Sequence, residues 1–400
     1  MSQFVKCKRP PVWMHKKEDE GMVENLRLSS RELQGGDERP RRRSFRRESK
    51  LVLIHTIDQD FHAAVCGHAL ENRGHRVVRW LGEDYPVSAG SSLHISEGER
   101  VDVLHTRHGS VSSCEVDVVW YRRRRAALAP DYLDADDMGF AENELKVAEC
   151  AHADGFERAF WINRRAAASI SDIKPNQLRA AQDSGLEVPP TLISNDPYEI
   201  RDFIRRHGST IYKPLTGHTW GDGGCVRRTY TAAVTLQDLP EDRYLKATPG
   251  IFQRKIDKAF EVRAQFFGSV CLAVRIESNS LRGGDVDWRL DQRSITRCAP
   301  IDVPLSIQDA CRKLMGKLGL VSGGVDFIVS PDGSWCFLEI NEAGQFLFIE
   351  SWCAELKVLE AFCQFVESGE VDLGNLQRSQ HIGLEQAILS ARVSGLLRAQ

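Results

Sequence analysis

Asp326, Glu339 and Asn341 lie in the stretch SGGVDFIVSPDGSWCFLEINEAGQFLFIE, residues 322–350. It reads as two strands, GVDFIVS and SWCFLEIN, joined by the turn PDG. Proline presets φ in such a turn and glycine takes its left-handed position. Side chains alternate faces along a strand. Glu339 and Asn341 therefore project together with Ile340 behind them, and folding the hairpin brings Asp326 towards the pair. Two carboxylates and an amide oxygen converging in this way form a hard oxygen site, of the kind that holds Mg2+ beside nucleotide phosphates. Taken alone, the pattern also fits a half-buried hairpin whose polar face meets water.

Further residues suit phosphoryl transfer, which needs charge neutralisation along a triphosphate and a fixed line of attack. Lys174 falls near the start of a helix, and Lys213 lies within the strand of TIYKPLTGHTWGDGGCV. By alternation Lys213 shares a face with Ile211 while Tyr212 points the other way. A lysine on an apolar strand wants an anionic partner, because burying it unpaired is costly; an exposed edge-strand lysine is the alternative. The loop that follows carries Gly217, Gly221, Gly223 and Gly224. Glycines let backbone N–H groups approach phosphate oxygens without obstruction by Cβ, although a plain hairpin turn uses them too. In FEVRAQF, Glu261, Arg263 and Gln265 share one face, and Val262, Ala264 and Phe266 the other. An arginine fork suits a phosphoryl group better than a lysine does, and a surface Glu–Arg pair is the plainer reading.

In their order along the chain, these residues resemble the ATP-grasp ligases over roughly residues 50–370. The form ExNxxGQFxxIE is most similar to the subfamily that installs ester and amide crosslinks in ribosomally made peptides, the microviridin or graspetide ligases. Relatives often carry Pro-Asn after the metal-binding Asn, where Glu342 and Ala343 stand here. The resemblance implies an α/β (α+β) chain, an ATP-grasp fold preceded by a small α/β pre-ATP-grasp domain. It implies ATP with Mg2+, or Mn2+ in its place, held by Asp326, Glu339 and Asn341. Lys174 and Lys213 would contact nucleotide, and the loop with Gly221, Gly223 and Gly224 would close over the phosphates. IFQRKI, with Gln253, resembles the hinge strand whose backbone, here Arg254, Lys255 and Ile256, reads adenine; relatives often have an acid at the position of Arg254. Glu261 would contact ribose and Arg263 the reacting acyl phosphate. In DVDWRLD, Arg289 aligns with the arginine that approaches the γ-phosphate, and Asp291 with a neighbouring polar residue.

The elements needed to position these residues are legible in outline. Four hundred residues suggest two or three domains. The expected division is a basic arm over 1–49, an α/β unit over 50–154, the ATP-grasp body over 155–370, and a tail over 371–400. LVLIHT reads as a buried strand, FHAAVCGHALENRG as a helix ended by Gly74, and HRVVRWL as a second strand, suiting a parallel α/β layer. Antiparallel strands over 93–113, the strand VDVVWYRR and a helix over 136–153 follow. Arg122 to Arg125 stand just past a strand end, where α/β sheets bind ligands; contact with an acidic peptide and a solvated charge cluster are both open. SISDIKPNQLRAAQDSGL reads as a helix capped by a serine or aspartate, with Ile173, Leu178 and Ala181 at helical spacing. DPYEIRDFIRRHG reads as a helix capped by Asp196. In the tail, EQAILSARVSGLLRAQ is a further helix that would pack on the body or on a second subunit of a homodimer.

Composition excludes some classes. Residues 1–50 hold 14 Lys+Arg and 8 Asp+Glu, so the remainder is mildly acidic and argues against a nucleic-acid partner. No window approaches eighteen apolar residues, and the start lacks the apolar core of a signal peptide. Eleven cysteines without a CxxC pair point to reduced thiols and a cytoplasmic enzyme. His105 and His108 form an HxxH on a polar stretch, read as a solvated strand rather than a zinc site.

The resemblance then implies a reaction. A peptide or protein carboxylate attacks the γ-phosphate of ATP, and an amine or hydroxyl attacks the resulting acyl phosphate, giving amide or ester with ADP and phosphate. The alternatives are a glutamate-type amino-acid ligase and a peptide-binding ATP-grasp protein without turnover.

Overall fold

The computed structural model describes residues 49–123, 127–216, 219–222, 225–228, 231–277, 298–374, 376 and 383–396. Among the residues singled out above, the basic arm before Ser49, Arg124, Arg125, Gly217, Gly223, Gly224, Arg289 and Asp291 lie outside the described residues.

The first unit begins with β1 (Leu51–Thr56), buried at every position, as a parallel strand covered on both faces must be. α1 (Phe61–Glu71) follows, with the Asp60 carboxylate accepting from the N–H groups of His62 and Ala63 as N-cap. Gly74, at φ +90°, makes the turn into β2 (Arg76–Leu81), a conformation that any Cβ would strain. A three-stranded antiparallel meander comes next, made of β3 (Gly90–Ser96), β4 (Glu99–Thr106) and β5 (Gly109–Ser112). His105 on β4 bonds the hydroxyls of Ser92 and Ser110 on a polar face. β6 (Val118–Tyr121), α2 (Ala135–Ala153) and β7 (Phe160–Ile162) complete the unit. One parallel sheet runs β2-β1-β6-β7, so a boundary placed after residue 154 would cut β7 away from its sheet.

α3 (Arg165–Ser171) and α4 (Lys174–Gln182) lead into the body. Here the expected cap is corrected: Ser171 ends α3, Asp172 is its C-cap, and α4 starts from Ile173 with no side-chain cap. Pro175 removes one orphan N–H from the first turn, which lessens the need for a capping side chain. Ile173 is half exposed, whereas Leu178 and Ala181 pack into the core as their spacing predicts. β8 (Thr191–Ser194), α5 (Pro197–His207) and β9 (Thr210–Lys213) come next. The Asp196 carboxylate caps α5 by accepting from the N–H groups of Tyr198 and Glu199. β10 (Thr219–Asp222) pairs with β11 (Cys225–Arg228) as an antiparallel hairpin. β12 (Ala232–Val234), α6 (Asp242–Ala247) and β13 (Gly250–Arg254) then close an antiparallel sheet of order β12-β9-β13-β8. Ile200, Phe203 and Ile204 of α5 pack with Leu245 and Phe252 on one of its faces.

The second sheet of the body has the order β16-β15-β14-β17-β18. Its strands are β14 (Phe260–Phe267), β15 (Val270–Ile276), β16 (Cys298–Pro300), β17 (Ser322–Val329) and β18 (Trp335–Asn341). α7 (Leu305–Leu318) and α4 cover one face through Leu314, Met315, Ala181 and the inward residues Val262, Ala264, Phe266 and Phe327. The other face is the polar one.

α8 (Leu347–Trp352), α9 (Val358–Ser368) and α10 (Leu384–Val393) wrap back onto the first unit. A single apolar cluster joins Val52, Ile54, Trp120 and Ile162 of the parallel sheet to Phe267, Phe346, Phe362 and Phe365. The tail helix α10 buries Leu384 and Ala387 in it, with Ala391 buried beside them, and Ser390 bonds His68 of α1 at 2.7 Å. It packs on its own body, one of the two surfaces its pattern allows. Among the described residues no helix is long and apolar enough to cross a membrane.

Candidate active site

The polar face of the five-stranded sheet is built by alternation. Along β14, Val262, Ala264 and Phe266 turn into the core, which sends Glu261, Arg263 and Gln265 to the opposite side. β17 lies antiparallel beside it with Asp326 directly opposite Arg263, and β18 sets Glu339 opposite Asp326 and Asn341 opposite Gly324. Ile340 is in the core behind them. A register shift between Asp326 and Phe327 marks a bulge beside this row, a device that re-aims side chains near functional sites.

The row is tightly coupled. Arg263 Nη1 donates to Asp326 Oδ2 at 2.8 Å, with the two side chains 5% and 4% exposed. Lys174 Nζ, from the first turn of α4, donates to Glu339 Oε2 at 2.9 Å. The Asn341 amide lies 3.5 Å from Asp326 Oδ2 and 3.4 Å from Glu339 Oε1. The three predicted metal residues thus meet, each carboxylate already facing a cation. Among the described residues no three His, Cys, Asp or Glu side chains gather to hold a metal ion. Two carboxylates and an amide oxygen nonetheless suit Mg2+, which takes one or two carboxylates and completes its shell with phosphate oxygens and water.

Gly324 is a residue that sequence reasoning missed. A Cβ there would lie 2.5 Å from the guanidinium of Arg263. The arginine can cross its neighbouring strand only because that position is bare. The doubled glycine of SGGVDF was the available signal. Lys258 was missed as well: its Nζ donates to Glu261 Oε1 at 2.5 Å in a buried pair. Gln177 is a third. Its amide donates to Ile340 O and accepts from Ile340 N–H, gripping β18 between Glu339 and Asn341.

The four-stranded sheet of the body carries the other predicted nucleotide residues. Lys213 closes β9, and its Nζ donates to Gln253 Oε1 at 3.0 Å; the Gln253 amide donates in turn to Thr191 Oγ1. Gly221 lies in β10 opposite Val226. Arg254 N–H donates to Pro190 O and Lys255 N–H to Ser209 O, so both donors serve the fold. Phe337 N–H of β18 donates to Glu187 O in the segment that leads into β8. Burial pushes the Cys336 thiol up to about 12, with Lys213 and Arg254 near enough to oppose the shift.

Glu342 occupies the position after Asn341. Burial, reinforced by the nearby Asp172 carboxylate, raises its pKa to about 7. Asp172 is itself raised by burial, with Lys174 opposing.

Arg122 is not available to a peptide. It is 4% exposed, and its Nε donates to both carboxylate oxygens of Asp60 at 3.0 and 2.8 Å. Both open readings of it are corrected, because the arginine is folded inwards to hold the chain itself.

A family model described as the MvdD pre-ATP grasp domain matches residues 51–169. Among solved structures, the chain is similar to a RiPP-associated ATP-grasp ligase from Chryseobacterium gregarium in complex with ADP and a leader and core peptide. The two are 25% identical over 82% of this chain and 100% of that one, with a TM-score of 0.74. The macrocyclase MdnC from Microcystis aeruginosa MRC, bound with the precursor peptide MdnA, is 27% identical over 80% and 100% of the two chains, at a TM-score of 0.70. Macrocyclase MdnB from the same organism is 26% identical over 79% and 99%, at 0.66. No curated protein matches. With its first unit matched by the pre-ATP grasp model and its five-stranded sheet and α4 bringing together Lys174, Arg263, Asp326, Glu339 and Asn341, the chain is similar over most of its length to ATP-grasp ligases of the RiPP-associated type.

Proposed function

We propose that this ATP-dependent, ADP-forming ligase crosslinks a ribosomally made peptide, joining a side-chain carboxylate to a hydroxyl or an amine of the same chain. The observation that carries the reading is the meeting of Arg263, Asp326, Glu339, Asn341 and Lys174 in one coupled row. The similarity to ligases solved with precursor, leader or core peptides supports the substrate class.

Asp326, Glu339 and Asn341 would hold Mg2+, which would supply charge neutralisation for the phosphates. Lys174 and Lys213 neutralise the phosphates, and the loop with Gly221 approaches them through its backbone. With the N–H groups of Arg254 and Lys255 engaged in the fold, the adenine-reading donor of the hinge falls to Ile256. Glu261, oriented by Lys258, accepts from ribose. Arg263 presents its fork where the acyl phosphate forms, and Arg289, outside the described residues, would approach the γ-phosphate.

In the first step a carboxylate oxygen bonds to the γ-phosphorus and the bond to the β-bridging oxygen breaks, releasing ADP. In the second, the hydroxyl or amine bonds to the acyl carbon, phosphate leaves, and the nucleophile loses its proton. Positioning and electrostatics carry most of such catalysis. A cytoplasmic location is part of this proposal, supported by nine cysteines that are free thiols, Cys66 and Cys363 among them.

The test pairs the protein with short precursor peptides encoded beside its gene, rich in Thr or Ser and Asp or Glu, under Mg·ATP. The expected result is one ADP and a loss of one water in peptide mass per bond formed. Addition of free glutamate to the acceptor would favour amino-acid ligation instead. Peptide binding without ADP release would leave a binding protein.

A further inference from the structure

Glu339 and Asn341 sit on β18, the edge strand of its sheet. An edge strand has one neighbour, and its outer backbone groups need other partners. Here Ile340 finds one within the strand, and the loop that leaves β18, residues 342–347, is held residue by residue. Gln177 takes Ile340, and Asn163 Nδ2 donates to Glu342 O at 3.1 Å while also holding Ser322 at the start of β17. Arg122 Nη1 donates to Ala343 O at 2.5 Å and to Gly344 O at 2.9 Å. Arg263 Nη2 lies 3.4 Å from Gln345 O. The N–H groups of Phe346 and Leu347 both donate to His62 Nε2, at 2.9 and 3.1 Å.

Three of these holders come from the first unit, at the carboxyl end of its parallel sheet. His62 is in the first turn of α1, just after β1. Arg122 follows β6 and Asn163 follows β7. That end of an open α/β sheet is where ligands usually bind. In this chain it grips the loop leaving the metal strand.

We propose that His62 and Arg122 are positioning residues for the Mg2+ site: by fixing the backbone of residues 343–347, the first unit sets where Glu339 and Asn341 stand. His62 is suited to this. Burial, with Arg122, Arg123 and Arg263 nearby, holds its pKa well below the usual value, so the ring stays neutral and Nε2 keeps its lone pair for two donors. Asp60 ties the pair together, accepting from Arg122 Nε and from the N–H of His62. The inference deepens the ligase reading and rests on it.

The experiment compares wild type, His62→Phe, His62→Gln and Arg73→Gln. Phenylalanine keeps a ring but loses the acceptor, whereas glutamine restores an acceptor. Arg73 joins α1 to Glu360 and Glu367 of α9 without touching the 343–347 loop, so it controls for a loosened junction between the units. Mn2+ binding to the ADP complex is read by electron paramagnetic resonance, ADP binding in EDTA by calorimetry, and the Mg2+ half-saturation of turnover by ADP release. The expected result is about tenfold weaker Mn2+ binding for His62→Phe, the scale on which partners of metal ligands act. ADP affinity in EDTA stays near wild type, His62→Gln recovers most of the loss, and Arg73→Gln lowers melting without moving the metal. If the Phe variant does not fold, His62→Asn, whose acceptor falls one bond short, is set against His62→Gln. Equal Mn2+ affinity across the His62 variants overturns the proposal, as does an Arg73→Gln effect as large as that of His62→Phe. Wild-type protein that binds neither ADP nor Mn2+ would instead overturn the ligase reading.

Discussion

At the scale of single residues, the buried pair of Arg263 and Asp326 shows how stability and function are joined. Removing one partner of such a pair strands a buried charge, at about 3–5 kcal/mol, so alanine at either position would report on folding before chemistry. Glu339 is the cleaner probe, being less buried and close in shape to glutamine. Glu339→Gln should stay folded and lose turnover about 100-fold or more, at ~1.4 kcal/mol per decade. ADP release with a competent acceptor, and melting on the same samples, check it; an active, normally melting variant removes the metal assignment. Glu342 makes a different prediction. Its folded pKa of about 7 exceeds the ordinary value of 4.5, so the folded state binds this proton more tightly than the unfolded chain. The stability this contributes is present below about 4.5 and is lost as pH rises through about 7. Glu342→Gln should therefore melt higher than wild type at pH 8 in EDTA, with the difference shrinking towards pH 4.5. An unchanged pH dependence would show the carboxylate is ionised in the fold.

At the scale of elements, β18 is the strand whose position matters most, and it is an edge strand with a single strand neighbour. Gln177 substitutes for the missing neighbour by offering Ile340 a donor and an acceptor in one amide. It stands one turn after Lys174 on α4, so one helix presents both the cation at Glu339 and the clamp beside it. Gln177→Leu keeps the volume but leaves the Ile340 backbone groups without that partner. The expected cost is about 1–3 kcal/mol in urea melts, with a Mg2+ requirement raised more than that for ADP. A variant as stable as wild type would show that another group takes over at Ile340.

At the scale of the whole molecule, the first unit and the body share one apolar cluster. Trp120 and Phe362 have ring centroids 4.4 Å apart, and Phe346 packs 5.1 Å from Phe267. Arg73 adds ion pairs to Glu360 and Glu367 across the same junction. A junction this apolar resembles a core more than a contact between mobile domains. The basic arm is a separate matter, because β1 begins only at Leu51 and no motif residue precedes it. Deleting residues 1–48 should leave Mg·ATP binding and melting intact. A truncated protein that purifies folded yet shows no melting rise with saturating Mg·ATP would assign the arm a part in the site.

The sequence by itself determined whatever depends on local periodicity. Alternation placed Glu261, Arg263 and Gln265 on one face of FEVRAQF and Glu339 and Asn341, with Asp326 towards them, on one face of the hairpin, because strand geometry turns each residue through about 180° whatever surrounds it; the pairing of β14 with β17 joined the two sets. The apolar run of β1, the Asp196 cap of α5 and the helix at 384–393 were legible for the same reason. Capping was less secure: Ser171 and Asp172 had the right chemistry, but they close the preceding helix. Tertiary structure alone decided the roles of His62, Arg122, Asn163, Gln177, Lys258 and Gly324. Apart from Lys258, these meet partners far along the chain, such as His62 with Phe346, and carry no period that marks them. Arg122 shows the difference in one residue. Its sequence setting, a run of arginines past a strand end, favoured the surface, but Asp60 and two carbonyl oxygens, brought to it only by folding, bury it. A hydrogen bond between distant residues depends on where both segments are carried, and that position is set by the packing of the whole chain.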